Sequence, residues 1–453
     1  MKLKSILTAS VLGLALGTMA HANVGNVVRF TGSTAYRSAT HKAIAHVFDK
    51  NSTVIGGVSS DSTNSVFNGK INGNDTTIIC YWSGSEQAIL SLANQSNTAN
   101  KLPFLNTAIL TDNVNFSGAT PVITNAVTGT NLGLIDPTAA TPGFNTIVVT
   151  NYTGDLQYPD AGMSDTFQSS SRYKTAAGKY DQLKGAGTDT ANGVIGVVMF
   201  KWIATPGTPF SNITAQQIKK IYTNGGYTDV AQITGTATKA FSTEYVYGTG
   251  RDFMSGTRLT AFAETGIGAT ATVTQYFPYS DAGNTTMVTA TGKTVVSFGS
   301  LDDTSASGGY ASGGKLASAL SNTAPTGNYM IGYAGTADTD TATAIGAGAK
   351  ELSYNGVMLT GTAGSITSDA SKVANGQYTF WGYEHLYYAK NLSDSGKLTP
   401  INRIAVQLRA GNGNAANTAV AADSVAPVLS SMNCTRDTDG SPVKLTVTDN
   451  STF

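Results

Sequence analysis

Charge is scarce in this sequence. Asp, Glu, Lys and Arg make up 12% of 453 residues, and 28 basic residues stand against 28 acidic ones. A nucleic-acid binder needs a concentrated basic face, and there is no excess here to build one. Histidine and cysteine are as sparse, at four and two residues. None of them shows metal-ligand spacing, which argues against a structural zinc site. Beyond the N-terminal segment no apolar stretch reaches the length of a membrane span. The motifs G-x-S-x-G and H-E-x-x-H and the P-loop are absent, and no nucleophile–base pair can be named. The chain therefore reads as a non-enzyme, with no cofactor implied.

What is present begins with Lys2 and Lys4, followed by an apolar run from Ile6 to Leu16 and the small-x-small tripeptide Ala20-His21-Ala22. That is the pattern of a secretory signal peptide over residues 1–22. No cysteine follows the run, so no lipid anchor is expected. Removing the segment takes away two lysines and no acid, leaving a net charge of about −2. The mature chain is expected to be a soluble monomer, periplasmic or secreted. Gly, Thr, Ser, Asn and Ala take the place of charge, as suits long polar loops outside the cytoplasm. Export makes a Cys80–Cys434 disulfide possible. Cys80 also sits in the apolar run Ile78-Ile79-Cys80-Tyr81-Trp82, where it reads as a small buried hydrophobe.

Strands and helices alternate along the chain. Val27 to Phe30 predicts a short strand, Thr31-Gly32-Ser33-Thr34 a capping turn, and the spacing of Ala43, Ile44, Val47 and Phe48 a helix running to about Asp49. Ile78 to Trp82 predicts a buried strand, Ser83-Gly84-Ser85 a turn, and Ala88, Ile89 and Leu92 the next helix. Strand, polar turn and helix in repetition argue for α/β architecture with a mostly parallel sheet. Residues 97–158, rich in Thr, Asn and Gly, read as an insertion with one strand at Ile147-Val148-Val149. Val194 to Phe200 predicts another strand. Thr214 and Gln217 have capping-box spacing, and Asn224-Gly225-Gly226 ends that helix. Glu244 to Tyr247 and Tyr329 to Tyr333 predict strands, and residues 267–326 form a second polar stretch with a helix at Lys315 to Leu320. Past Ala421 the chain reads as a tail with a strand-like Val443 to Val447. Trp381, Tyr383, Tyr387 and Tyr388 read as core, the alternative being an aromatic surface for sugar or peptide. His41, His46 and His385 read as ordinary helix or surface residues.

Four turns share one reading: each follows a strand, is rich in Ser, Thr and Gly, and opens a helix. They are Thr31-Gly32-Ser33-Thr34, Ser83-Gly84-Ser85, Gly162-Met163-Ser164-Asp165 and Arg251 through Thr257. The first amides of a helix lack backbone partners and lie at the positive end of its dipole, so each turn can hold an anion. Capping alone explains any one of them; four together, one with an arginine and one with an aspartate, favour an anion site.

These segments resemble the phosphate-binding subunits of bacterial phosphate ABC importers. Gly250-Arg251-Asp252-Phe253-Met254-Ser255-Gly256-Thr257-Arg258 is similar to that family's R-x-x-x-S-G-T segment. Asp160-Ala161-Gly162-Met163-Ser164-Asp165 resembles its D-x-G-x-S-D turn, and Ile213 to Gly225 its capped helix. Tyr329 to Tyr333 and Lys350 to Val357 resemble its return strand and the hairpin after it. The likeness runs, with gaps, from about residue 27 to about residue 410. It implies a two-lobe periplasmic-binding-protein-like (type 2) α/β fold with a ligand cleft between the lobes. Lobe 1 would comprise residues 23–196 and 331–453, lobe 2 residues 197–330, with hinges near Val197–Trp202 and Ile331–Ala334. By the same resemblance Arg251 would hold two oxygens of inorganic phosphate, and Ser255, Gly256 and Thr257 would donate from a helix terminus. Thr34 with the Ala35 amide, and Ser83 or Ser85, would donate from the other lobe. Asp165 would accept the ligand's own proton, and an ABC permease would be the partner. Two departures stand out. The acid near the arginine is the adjacent Asp252, with Phe253 where the family places one, and Glu86 follows the second turn. Rival readings are a binder of another anion (molybdate, sulfate, an organic phosphate) and a surface or matrix protein that reuses the fold without ligand.

Overall fold

The apolar runs of the sequence become the buried strands of two sheets. The computed structural model describes residues 23–59, 63–110, 114–115, 122–125, 130–139, 145–147, 155–187, 192–236, 243–301, 308–344, 348–360, 367–410 and 429–446. The expected signal peptide lies outside them. The first sheet contains β1 (Asn26–Gly32), β2 (Val54–Ser59), β3 (Asn64–Ile71), β4 (Asn74–Tyr81) and β5 (Ala161–Ser164). β2, β3 and β4 form an antiparallel meander, while β1 lies parallel to both β4 and β5. β6 (Val194–Ala204) is buried from Ile195 to its end, apolar as far as Phe200, with its one charge, Lys201, paired to Asp340 (3.0 Å) and Glu351 (2.7 Å).

The second sheet is built from β7 (Tyr227–Asp229) and β8 (Tyr245–Gly248), with β9 (Gln275–Tyr279) and β10 (Ser297–Leu301) as a separate hairpin beside it. β11 (Asn328–Gly335) runs parallel to β8, and β12 (Lys350–Tyr354) follows. β6 joins the two sheets. Its first part, Val194 to Met199, pairs antiparallel with β13 (Trp381–Tyr388), which in turn pairs with β5. From Phe200 to Ala204 it pairs instead with β11, and over Trp202 to Ala204 also with β12. The architecture is thus mixed α/β in two lobes that share one strand. The sheets are not mostly parallel, as the alternation of elements suggested. The meander and the returning β13 add antiparallel pairs, because short hairpins and a strand coming back from the far lobe need no crossover helix.

Seven helices are needed to place the site: α1 (Arg37–His46), α2 (Ser85–Ala93), α3 (Ala215–Thr223), α4 (Gly256–Glu264), α5 (Gly313–Leu320), α6 (Thr336–Ala344) and α7 (Ser395–Ala410). α3 starts with the expected capping box: the Gln217 amide donates to Thr214 Oγ1 (3.2 Å) and the Thr214 amide to Gln217 Oε1 (2.9 Å). α1 stops at His46, short of Asp49.

Residues 97–158 hold more strand than one. Leu102–Phe104 pairs with Asp155–Gln157, and Thr130–Ile135 and Asn145–Ile147 both pair with β2, extending the first sheet. Val148 and Val149 lie outside the described residues. Of the Phe380–Tyr388 aromatics, Phe380, Trp381, Tyr383 and Tyr387 are buried core and Tyr388 is half-buried, and Trp202 stacks on Phe380 at 5.3 Å. His41 lies on helix α1 as one of the alternatives had it, though buried, while His385 lies buried on strand β13. His41 Nε2 receives Trp82 Nε1–H (2.8 Å), and the His385 ring stacks on Tyr387. The cysteines do not pair. Both are free and buried, and burial pushes the Cys80 thiol up to about 12. The tail beyond Ala421 is tied down where it is described, with Arg436 buried against α4 and β13. No helix among the described residues is long and apolar enough to cross a membrane.

Candidate functional site

Two of the four turns open helices as expected. α2 begins at Ser85 after Gly84, whose φ of +96° and contact with the Met254 carbonyl leave no room for a side chain. α4 begins at Gly256, with Ser255 as N-cap accepting from the Arg258 amide (3.3 Å). The other two turns differ. α1 is capped at Tyr36 with no side-chain hydrogen bond, so Thr34 sits two residues before the cap. Gly162 to Ser164 belong to β5, and only the short turn Gln168–Ser170 follows. Asp165 therefore stands at a strand end, placed by the parallel pairing of β5 with β1 and not by a helix of its own.

Asp165 is where distant segments meet. The Ser85 hydroxyl donates to its Oδ1, and the Thr257 hydroxyl to its Oδ2 at 3.0 Å. The Asp165 amide donates back to Ser85 Oγ (3.3 Å), and its carbonyl accepts from Thr260 Oγ1 (3.3 Å). Its carboxyl lies against Gly256 so closely that a methyl there would overlap it. Helix α2 from one lobe and α4 from the other thus turn first-turn groups toward one carboxyl. Burial raises the Asp165 pKa, while the two hydroxyls and the Arg251 charge pull it down.

The other expected residues fall around this centre. Arg251 is buried, with Nε–H donating to the Tyr310 carbonyl (3.0 Å) and Nη2 to the Ala311 carbonyl (3.1 Å). Its charge also acts on Asp252, whose Oδ1 accepts from the Met254 amide (3.0 Å). Thr34 and Ala35 are half-buried on the turn before α1, with Ala35 facing Gly335. The Ser83 hydroxyl is shared with Thr31 Oγ1 at 2.8 Å. One α2 amide is already taken, since Glu86 N–H donates to the Met254 carbonyl (3.1 Å) and so ties the second turn to the fourth.

Sequence reasoning missed three charged groups near the centre. Glu384, on β13, is buried; burial raises its pKa well above the usual range and the Asp165 charge adds to this, with the Ser33 hydroxyl opposing. A lone acid inside the apolar run Trp381–Tyr388 was the available signal, because such a group is costly to bury ionised. Asp338, in the first turn of α6, sits against Gly313 at the N-terminus of α5. Its pKa is raised by burial and drawn down by Arg251 and Arg37. No local pattern marks Arg37 as its neighbour.

Glu86 does not line the centre. It is buried, and its Oε2 accepts from the Arg172 amide (3.0 Å). Burial pushes its carboxyl up to about 7, and Asp439, which accepts from the Phe167 amide (2.9 Å), is pushed by burial to about 7 as well. A carboxyl whose folded pKa exceeds its unfolded value stabilises fully below the unfolded value, and that contribution is lost as pH rises through the folded one. Relative to Glu86→Gln, the wild-type unfolding free energy should therefore fall between pH 4.5 and about 7, by up to roughly 3 kcal/mol. Urea titrations across that range measure it. His41 and His385, held near 3 and 4 by burial, act in the opposite sense below pH 6.5 but are common to both proteins.

No family model matches the chain, and no curated protein matches it. Similar solved structures exist. One is a putative phosphate ABC transporter substrate-binding protein with bound phosphate from Clostridium perfringens, at 13% identity over 88% of this chain and 98% of that one, TM-score 0.38. A second is PstS from Borrelia burgdorferi, at 12% identity over 83% and 92%, TM-score 0.34. A third is an ABC-type phosphate transport receptor from Vibrio cholerae, at 12% identity over 56% and 79%, TM-score 0.32. At these values they assign no role to any residue of this chain.

Proposed function

We propose that this chain is an exported solute-binding protein that takes a small protonated oxyanion between its lobes, phosphate before others. The observation that carries the reading is the Asp165 carboxyl, to which Ser85 and Thr257 donate from two helices of different lobes. Those hydroxyls, the first amides of α4 and the Arg251 guanidinium are the donors a tetrahedral oxyanion requires. With a ligand in place the hydroxyls turn from Asp165 to its oxygens, and Asp165 accepts the proton that HPO₄²⁻ carries. Sulfate has no such proton, so it would leave two negative groups facing each other. Ser255 and Gly256 supply the helix terminus, and Thr34 and Ala35 the edge from the first lobe. Of Ser83 and Ser85, Ser85 is the donor proposed from the second turn, since the Ser83 hydroxyl is shared with Thr31. The lobes would hinge where β6 changes partners, at Met199–Phe200. An ABC permease is the receiver such a protein would need. No enzymatic step is proposed.

A second reading, a surface protein that keeps the fold without the ligand, is favoured by two observations. Asp165 already holds the donors, and the buried Glu384 puts a second acid beside it. Calorimetric titration of the refolded mature protein at neutral pH separates the two, since refolding strips any ligand carried through purification. Heat with phosphate and none with sulfate is the expected result. No heat with either anion would put the ligand-free reading in its place.

A further inference from the structure

The second lobe carries an aromatic groove that the anion site does not use. Alternation along β8 puts Tyr245 and Tyr247 on one face, with Val246 buried on the other. Tyr227 on β7 lies directly opposite Tyr247 in the ladder. The β9/β10 hairpin brings Tyr276 and Phe298 up beside them. Ring centroids are 4.9 Å apart for Tyr247–Tyr276, 5.1 Å for Tyr247–Phe298 and 5.6 Å for Tyr227–Tyr247, the last pair stacked at 27°. The rings therefore fix one another, as a preformed binding surface requires.

Three features say what such a surface would take. The groove has a volume of about 490 Å³, within the range of small-ligand sites. None of the residues lining it is charged, and Ser297 and Asn328 sit among the rings. Among the described residues, no protein group bonds to the hydroxyls of Tyr227, Tyr245 or Tyr247, and Tyr227 is 39% exposed. A purely apolar side chain would leave those phenols to water, and an anionic ligand would meet no countercharge. A pyranose ring matches both parts: its C–H face packs on an aromatic face while its equatorial hydroxyls reach the phenols and the Asn328 amide at the rim.

We propose that the Tyr227–Tyr245–Tyr247–Tyr276 groove binds neutral carbohydrate, as a site separate from the Asp165 centre. The test is native affinity electrophoresis of the mature protein in gels containing dextran, laminarin or glucomannan, with charged alginate as the control polymer. Retardation by at least one neutral polymer, and none by alginate, is expected. Tyr227→Ala and Tyr245→Ala should each weaken retardation about tenfold, with melting temperatures near that of the wild type because neither side chain is in a core cluster. Added phosphate should leave retardation unchanged, which separates this site from the cleft. Mobility unaffected by all three neutral polymers would overturn the proposal. So would retardation that survives both alanine variants, or a concentration-dependent dimer that Tyr227→Ala dissolves, since the groove would then serve a second copy of the chain.

Discussion

With asparagine in place of Asp165, the preference for phosphate over sulfate is expected to fall by roughly 10⁴, the discrimination available to a site built around one ligand proton. Asparagine keeps the shape of the side chain and removes the acceptor, placing an N–H₂ where the ligand's O–H would point. Sulfate then meets a donor in place of a carboxylate, and its binding should appear where the wild type shows none. Phosphate should weaken at the same time, because its proton loses its partner. Paired titrations of the two proteins with both anions measure the ratio directly. A variant that still rejects sulfate would remove Asp165 from the role of proton acceptor. Under the ligand-free reading the variant shows a stability effect alone. Because folding raises the Asp165 pKa, the wild type loses stability as pH rises through the folded value, and the amide does not. The Asp165→Asn protein would then gain on the wild type toward higher pH with no change in anion binding.

Arg436→Ala is expected to destabilise the protein by about 3–5 kcal/mol, the cost of leaving a buried partner charge alone. The side chain is 1% exposed and reaches from the tail into the body. Nη1 donates to the Trp381 carbonyl (2.8 Å), Nη2 to the Thr379 carbonyl (2.7 Å) and to Glu264 Oε2 (3.2 Å), and the guanidinium lies over the Trp381 ring at 4.5 Å. Glu264 is the last residue of α4, and Trp381 the first of β13, so one arginine ties the helix that bears Gly256 and Thr257 to the strand that bears Glu384. Burial raises the Glu264 pKa, and Arg436 is the first of the groups that lower it. Without the arginine Glu264 must be protonated or repelled, so the deficit should be smaller at pH 5 than at pH 8. Urea unfolding at the two values tests this. A double variant, Arg436→Met with Glu264→Gln, should recover much of the loss, because it removes the unpaired charge and keeps most of the packing volume. A loss in Arg436→Ala below about 1 kcal/mol, the range of an exposed ion pair, would show that the tail is not fastened here.

Much of the site was legible because its signals are local. Thr214 and Gln217 announce their capping box within four residues, and Ser255 caps α4 where the turn composition said a helix would open. The apolar run Val194 to Phe200 could only be a strand buried on both faces, and it is. The failures are as instructive. Gly162 to Asp165 has the composition of a helix-opening turn, yet pairing with β1 holds most of it as strand. Ser83 and Ser85 are equivalent by sequence; a hydrogen bond to Thr31 takes one, and Asp165 takes the other.

The sequence by itself determined the alternation of strands and helices, the turns that open α2 and α4, and the placing of Arg251 and Asp165 in polar segments at strand ends. Each depends on neighbours within about one helical turn, which periodicity and capping chemistry report. Only the tertiary structure decided that Ser85 and Thr257, 80 and 92 residues away from Asp165, would share its carboxyl. It alone decided that Glu384 would lie buried beside them and that Arg436 would come back from the tail to Glu264. Those outcomes rest on desolvation and charge pairing between distant segments, and neither exists until the strands have chosen their partners.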